Sequence, residues 1–427
     1  MEVLSNIEKP IETDYLNCIR CGLCLAVCPT YRETLNEISG PRGRVALARK
    51  SLEGELELTP NLVEQMNACF ACLACNEICP VGIQPAELTL SMRYIQEQVK
   101  PAGWKQTLFG DLISHPNRME AATLPIRLYE WSGIRKLIYQ LRLIHLLPPQ
   151  VRDLEAMLPH LPMRPLRQVL PERTDAYGQS RLRVGFFLGC AQNLLFAEES
   201  KATVRVLARN GCTVITPRDV QCCGMPARGY GRLDLVRAQA KHNIGTFEKA
   251  NVDVVITDCA TCGSTLKDYN ELLKNEAEWA PKAEVFSSRI RDVSEFLAEI
   301  PLEKPTGKIE TRVTYHDPCH LRRGQRVWQQ PRALLSLING LEYIELPEAD
   351  WCCGSAGSQL ITHYETSTKV MDRKLDNLAS TGAQIITSGC PGCQMQLNTV
   401  IQRRGLDVRV VHPVALLDEA YEAVDGK

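Results

Sequence analysis

The chain has 427 residues, a length that suggests two or three domains. Its 44% hydrophobic and 23% charged residues are those of a soluble globular protein, and a net charge of −1 gives no reason to expect nucleic acid as a partner. No run of eighteen apolar residues occurs, so no membrane-spanning helix is expected. The stretch from Met1 to Asn17 has neither a basic segment nor an apolar core, so no signal peptide is expected either.

The unusual total is nineteen cysteines. In a reducing cytoplasm, the expected location, that many thiols argue for metal rather than for disulfides. Residues 1–100 hold two runs of the same form. Cys18, Cys21, Cys24 and Cys28 are followed by Pro29; Cys69, Cys72, Cys75 and Cys79 are followed by Pro80. This C-x2-C-x2-C-x3-C-P spacing wraps three thiolates around one iron–sulfur cube and sends the fourth to the other cube. The expectation is two [4Fe–4S] clusters, one on Cys18, Cys21, Cys24 and Cys79, the other on Cys69, Cys72, Cys75 and Cys28. Paired structural zinc sites fit less well, because they favour separated C-x2-C knuckles. Between the runs the sequence reads as helix. Gly40–Pro41 breaks the chain, Arg44–Leu52 is helical, and Thr59–Pro60 is an N-cap with proline in the first turn. Arg42 and Arg44 face either a cluster or a partner, or are two solvated loop arginines.

Residues 101–180 carry no cysteine and form a helical, basic linker region. From Arg118 to Arg167 there are eight Lys/Arg against four Asp/Glu, with apolar residues between. Such a segment lies on a membrane surface, docks a partner, or packs on its own protein with its basic face wet. The last reading is the one favoured here. Pro148, Pro149, Pro159, Pro162 and Pro165 mark the linker's end.

The remainder, 181–305 and 306–427, is an internal repeat of alternating strands and helices, which implies parallel sheets. The first copy reads as strand Leu182–Leu188, Cys190, helix Glu198–Asn210, strand Cys212–Thr216 and Cys222–Cys223. Helix Asp234–Lys249, strand Val252–Thr257, Cys259 and Cys262 follow. The second reads as strand Arg312–His316, Cys319, a helix, strand Leu341–Leu346 and Cys352–Cys353. Helix Tyr364–Ser380, strand Gln384–Thr387, Cys390 and Cys393 complete it. Corresponding cysteines are 129 to 131 residues apart. The fold class expected is therefore α+β and multi-domain: a helical two-cluster ferredoxin domain, then two repeated α/β domains.

Within each copy every cysteine follows a strand's carboxyl end, where ligands bind in open α/β sheets. Five thiols then converge, and an adjacent Cys–Cys pair bridges two irons better than it chelates one. A polynuclear iron–sulfur site in each copy is the leading reading. Zinc on four of five thiols, or redox-active dithiols at Cys259/Cys262 and Cys390/Cys393, are the alternatives. Cys212 opens an apolar strand and reads as a core residue. His316, Asp317 and His320 flank Cys319, and Asp258 precedes Cys259. Strand-end caps or solvent contacts are the favoured reading for these four, over tuning a cluster or relaying protons. Backbone amides near Gly354, Ser355, Gly357 and Ser358 are candidates to hydrogen-bond cluster sulfides.

On these residues the chain resembles known families. Both repeats resemble the cysteine-rich CCG domains of heterodisulfide reductase, where such a quintet holds a non-cubane [4Fe–4S] cluster. The whole chain resembles the iron–sulfur subunit of glycolate oxidase (glycolate dehydrogenase) at CGLCLAVCPTY, GPRGR, FLGCAQN, CCG and CCGSAG. That resemblance implies a further cluster in one or both repeats, an FAD-binding 2-hydroxy-acid oxidase partner acting on glycolate or D-lactate, and an acceptor such as quinone.

No Gly-rich dinucleotide fingerprint follows a strand: Gly185 and Gly189 lack the spacing. No Ser-His-Asp set or phosphate loop is found, so no flavin of its own and no catalytic residue are expected. A protein with several clusters and no organic cofactor site reads as an electron-transfer subunit, in the cytoplasm and in possible peripheral contact with the membrane's inner face. A disulfide reductase of the heterodisulfide type and a zinc-binding scaffold are the alternatives.

Overall fold

The computed structural model describes residues 10, 12–99, 103, 106–156, 158 and 161–423. The first nine residues, which bear on the signal-peptide reading, and Pro159 lie outside them.

The N-terminal unit is helical. Pro41–Leu52, Pro60–Asn67 and Pro85–Val99 each open on a proline, whose missing N–H is one that a first turn leaves unpaired anyway. Thr59 caps the second, its hydroxyl accepting from Leu62 N at 3.3 Å. Their inner faces meet in a core of Val45, Ala48, Leu62, Met66, Leu88, Met92 and Ile95. The cysteine runs lie on loops and one-turn helices around that core. Buried Arg93 ties the unit to the first repeat, donating to Met66 O (2.7 Å), Cys69 O (2.6 Å) and Gly229 O (2.9 Å).

The first repeat contains β1 (Arg173–Thr174), β2 (Leu182–Phe186), β3 (Cys212–Ile215), β4 (Val254–Thr257) and β5 (Ile290–Asp292), in the sheet order β1-β3-β2-β4-β5. Only β1 runs antiparallel to its neighbour. The second repeat has β6 (Lys308–Tyr315), β7 (Asn339–Tyr343), β8 (Ile385–Thr387) and β9 (Arg409–Val411), all parallel, in the order β7-β6-β8-β9. Removing β1 leaves the same order in both. The carboxyl-terminal halves of the central strands are buried, at 184–186 and 255–257 in the first repeat and 313–315 and 385–387 in the second, as strands covered on both faces require. The two repeats share one apolar core, in which Val184, Phe186 and Val214 join Val313, Tyr315 and Leu416. Cys212 sits in it with a thiol raised to about 11 by burial, and is the inert core residue expected.

The linker departs from expectation. It is a series of short helices, including Pro116–Ala122, Leu124–Trp131, Ile134–Gln140 and Pro149–Ala156. Their apolar stripes face water. Leu124, Leu128 and Trp131 stand at i, i+4 and i+7, as do Ile134, Leu137 and Leu141 at i, i+3 and i+7, and all six are exposed. Trp131 is 69% exposed and Leu146 80%. The favoured reading, an apolar face packed on the protein, is thus reversed for this surface. Lys136 and Arg142 beside it are exposed and make no ion pair among the described residues. No helix among the described residues is long and apolar enough to cross a membrane.

Candidate metal centres

Each cysteine run curls through left-handed backbone at corresponding positions. Arg20 (φ 57°) and Gly22 (φ 83°) follow Cys18, as Ala71 (φ 48°) and Leu73 (φ 62°) follow Cys69. Three of the four are not glycine, a strain of about 1 kcal/mol or more each that persists where surrounding structure enforces it. The curl turns the sulfurs of each run inward and frees amides, such as Ala71 N, which donates to Cys69 Sγ at 3.4 Å.

Two cavities result, of about 360 and 370 Å³ with their mouths included. The first is lined by Cys69, Cys72, Cys75 and Cys28, together with Thr30 and Arg44. The second is lined by Cys18, Cys21, Cys24 and Cys79, together with Arg42. Pro85 lines both. Each cavity thus takes three thiols from one run and the fourth from the other. Burial, then Cys18 and Cys21 nearby, raise the Cys24 thiol to about 11; burial likewise raises Cys75 well above the ordinary range. Sulfurs so placed become thiolates only beside a strong cationic occupant. Arg44 donates to Gln65 O at 2.8 Å and to Thr30 Oγ1 at 3.2 Å, while its Nη2 is buried without a partner at the first cavity. Soft sulfur ligands with an unpaired donor fit an iron–sulfur cluster. Both arginines, Arg42 and Arg44, face cavities.

In the repeats, the cysteines follow β2, β3, β4, β6, β7 and β8. Cys259 is the N-cap of helix Ala260–Lys267 and Cys390 that of Pro391–Arg404, so the positive ends of two helices point at thiols. In the first repeat, Cys222 neighbours Cys190 and Cys223, Cys223 neighbours Cys262, and Cys262 neighbours Cys259. In the second, Cys352 meets Cys353, Cys353 Sγ lies 3.2 Å from Cys393 Sγ, Cys393 meets Cys390, and Cys319 completes the set. All nineteen cysteines are free. The Cys-Cys-Gly turns depend on their glycines: Gly224 has φ 98° and Gly354 φ 80°. A Cβ on Gly354 would stand 2.7 Å from Ser367 O. Gly354 N donates to Cys352 Sγ at 3.4 Å. Buried Lys374 fixes the preceding loop by donating to Glu348 O and to Ala349 O (3.1 Å).

The thiol sites also meet one another. Cys72 adjoins Cys352 in one buried cluster. That neighbour, and then Arg323, pull Cys72 down to about 6 against burial. Cys259 of the first repeat adjoins Cys390 of the second. Backbone pairing supports this junction, with Ala260 N donating to Gly389 O at 2.9 Å. At the far end, Cys190 and Cys222 line a third opening of about 320 Å³ with Arg167, Arg218 and Asn193.

Of the flanking polar residues, Asp317 and Asp258 are buried and held by neighbouring side chains rather than by solvent or a strand end. Asp317 is held by Arg332 (2.8 Å) and Arg322 (3.0 Å), and Asp258 by Ser200 (2.6 Å) and Thr203 (3.2 Å). His320 is half-buried, its Nδ1 3.5 Å from Thr261 Oγ1, and burial lowers its pKa. His316 is neither a cap nor a solvent contact. It is buried beside Cys353 and Cys393. Missing from the sequence reading were the linker's Arg167 at the third opening and the two thiol contacts between sites. No local pattern announces them.

Helical double-run unit, repeated α/β units and gathered thiols together define an iron–sulfur electron-transfer protein. Residues 14–83 match the 4Fe-4S dicluster domain, 184–267 and 313–398 the cysteine-rich CCG domain, and 100–158 the linker region of the glycolate oxidase iron–sulfur subunit. The chain is 36% identical to a probable glycolate oxidase iron–sulfur subunit of Bacillus subtilis, over 97% of this chain and 95% of that one. It is 29% identical to the Escherichia coli glycolate oxidase iron–sulfur subunit over 99% and 98%. Lactate utilization protein A of a Geobacillus species is 31% identical over 56% of this chain and 99% of its own. The chain belongs to the glycolate oxidase iron–sulfur subunit family.

Proposed function

We propose that this chain is the electron-conducting subunit of a flavin-dependent 2-hydroxy-acid dehydrogenase acting on glycolate or D-lactate. The observation that carries this reading is the succession of adjoining thiol sites. It runs from the Cys18/Cys21/Cys24/Cys79 cavity to that of Cys28/Cys69/Cys72/Cys75, across Cys72–Cys352 into the second repeat, and across Cys390–Cys259 into the first. The two quartets are assigned one [4Fe–4S] cluster each. The quintets Cys190/Cys222/Cys223/Cys259/Cys262 and Cys319/Cys352/Cys353/Cys390/Cys393 are assigned further clusters. Clusters, when bound, supply one-electron storage, and the protein's own work is to hold them in series and keep water from most of them.

The domains are assigned as 1–100, 101–180, 181–305 and 306–427. Hydride abstraction is assigned to a partner subunit with FAD, since the sequence has no Gly-rich dinucleotide fingerprint after a strand. The opening at Cys190 and Cys222 is assigned to the exit side, with quinone as acceptor. The chain is placed in the cytoplasm, with its outward apolar linker face against the inner surface of the membrane. The exposed Trp131 and Leu146 beside Lys136 and Arg142, which make no ion pair among the described residues, support that placement.

Iron, sulfide and zinc content of anaerobically purified protein tests the assignment. Two cubes alone give about eight irons per chain, and clusters in both repeats about sixteen. Iron near eight with added zinc would point to a scaffold role for the repeats. In the assembled complex, glycolate or D-lactate bleaches the cluster absorbance. Absence of bleaching with any 2-hydroxy acid would refute the dehydrogenase reading.

A further inference from the structure

His316 follows directly on β6 and is 1% exposed. Neither Nδ1 nor Nε2 has a hydrogen-bond partner. A polar group left so in a protein interior costs about 1–3 kcal/mol, and native structures rarely tolerate two on one ring. One nitrogen lies within 4.8 Å of both Cys353 Sγ and Cys393 Sγ, which are within the same distance of each other. The adjoining acid does not answer for it, because the Asp317 carboxylate is taken by Arg322 and Arg332.

The repeat supplies the comparison. Three residues before Cys190, where the second copy has His316, the first copy has Phe187. Phe187 is fully buried, stacked on Phe247 at a centroid distance of 6.2 Å. The same place in the same fold, beside an equivalent set of thiols, is thus apolar in one copy and a nitrogen donor in the other.

We propose that His316 donates a ring N–H to a sulfur of the second repeat's cluster, a Cys353 or Cys393 thiolate or an adjoining sulfide, and raises that cluster's reduction potential. The inference rests on the reading that the second repeat holds a cluster. A neutral imidazole always carries one N–H, so the donor role needs no change of protonation. A hydrogen bond to sulfur stabilises the more negative, reduced state and so raises the potential. His316 is a positioning and tuning residue, since the five cysteines already supply the ligands. The consequence is directional. The second repeat adjoins the Cys72 site, so a raised potential there draws electrons out of the ferredoxin-like unit.

The test is a redox titration followed by electron paramagnetic resonance on the anaerobic, iron-loaded full chain, comparing wild type with His316→Phe and His316→Gln. His316→Phe, which installs the first repeat's residue, is expected to move one midpoint potential downward and leave the iron content and the other midpoints unchanged. His316→Gln keeps an N–H and is expected to recover most of the shift. Should the phenylalanine not be accommodated, His316→Leu removes the donor with less bulk and reads the same shift. Unchanged midpoints in an iron-loaded donor-free variant overturn the proposal. So does loss of iron from both donor-free variants and from His316→Gln, which would make the ring a ligand or a structural element. Wild-type iron near eight removes the cluster reading of the repeats and this proposal with it, a result read before any variant is made.

Discussion

The Cys72 and Cys352 thiols adjoin each other in the interior, although one belongs to a ferredoxin-like run and the other to the second repeat. Phe70, Ala74 and Val370 pack around them and keep water out. Cys72→Ala is expected to lower iron by about four per chain and to leave the Cys18/Cys21/Cys24/Cys79 centre paramagnetic and reducible. Chemical reduction of the repeats' centres through the N-terminal unit should slow by at least tenfold. Stopped-flow absorbance checks the rate, and an unchanged rate would show that electrons enter the repeats elsewhere.

The Cys-Cys-Gly turn offers a prediction with an internal control. Gly354 and Gly357 both have left-handed backbone, at φ 80° and 76°. A Cβ on Gly354 meets Ser367 O at 2.7 Å, whereas one on Gly357 meets nothing within 4 Å. Gly357→Ala therefore carries only the conformational cost, about 1–2 kcal/mol. Gly354→Ala carries that cost plus a backbone clash, about 3 kcal/mol or more in all. Anaerobic thermal melts and iron content should rank them in that order, with iron loss confined to Gly354→Ala.

Stability should fall as pH rises from 6 to 8, and Glu199 accounts for part of the fall. Burial raises its carboxyl from 4.5 to about 8, although Gln394 Nε2 (3.0 Å) and His412 N (2.9 Å) donate to it. The folded state thus holds the proton where the unfolded chain has released it. The stabilising contribution is complete below about 4.5 and is lost progressively up to about 8, a difference of order 5 kcal/mol at 1.36 kcal/mol per unit. Glu199→Gln should flatten the melting temperature across pH 6–8 relative to wild type. Asp292, raised to about 7 by burial, acts in the same direction and remains in the variant. The difference between the two proteins therefore isolates Glu199.

The linker's outward face predicts binding to vesicles containing anionic lipid. Leu146→Ser should weaken it by about tenfold, the scale of burying one leucine side chain, and Lys136→Glu should weaken it at low salt more than at high. Flotation of the full chain measures both. A chain that stays in the aqueous fraction at low salt would overturn the membrane placement of this face.

The cysteine runs were legible because ligand spacing is largely a local property: three sulfurs within one short loop must reach the same point, and the fourth lies just beyond them. The repeat was legible for a related reason, since strand, cysteine and helix recur at a nearly constant interval. Strand bounds came within a few residues for β2, β3, β4 and β8. The two- and three-residue strands β1, β5 and β9 left no pattern to read. What escaped was orientation. Apolar spacing in Leu124–Trp131 marks which face is greasy, and says nothing about whether that face is turned in or out. The meeting of Cys259 with Cys390 depends on two sheets sharing a core. The role of His316 depends on Arg322 and Arg332 having occupied its acidic neighbour.

The crossed arrangement of the two N-terminal runs has a bearing on biogenesis. A nascent polypeptide that has emerged only through Cys28 offers three sulfurs to one cavity and a lone sulfur to another whose walls are still inside the ribosome. The pocket that uses Cys28 gains its last sulfur with Cys75 and the other with Cys79, so both wait for nearly the whole unit and are then completed in close succession. Oxygen reaching the chain during that interval meets open thiols, which makes the moment of synthesis, rather than the finished protein, the point of greatest vulnerability.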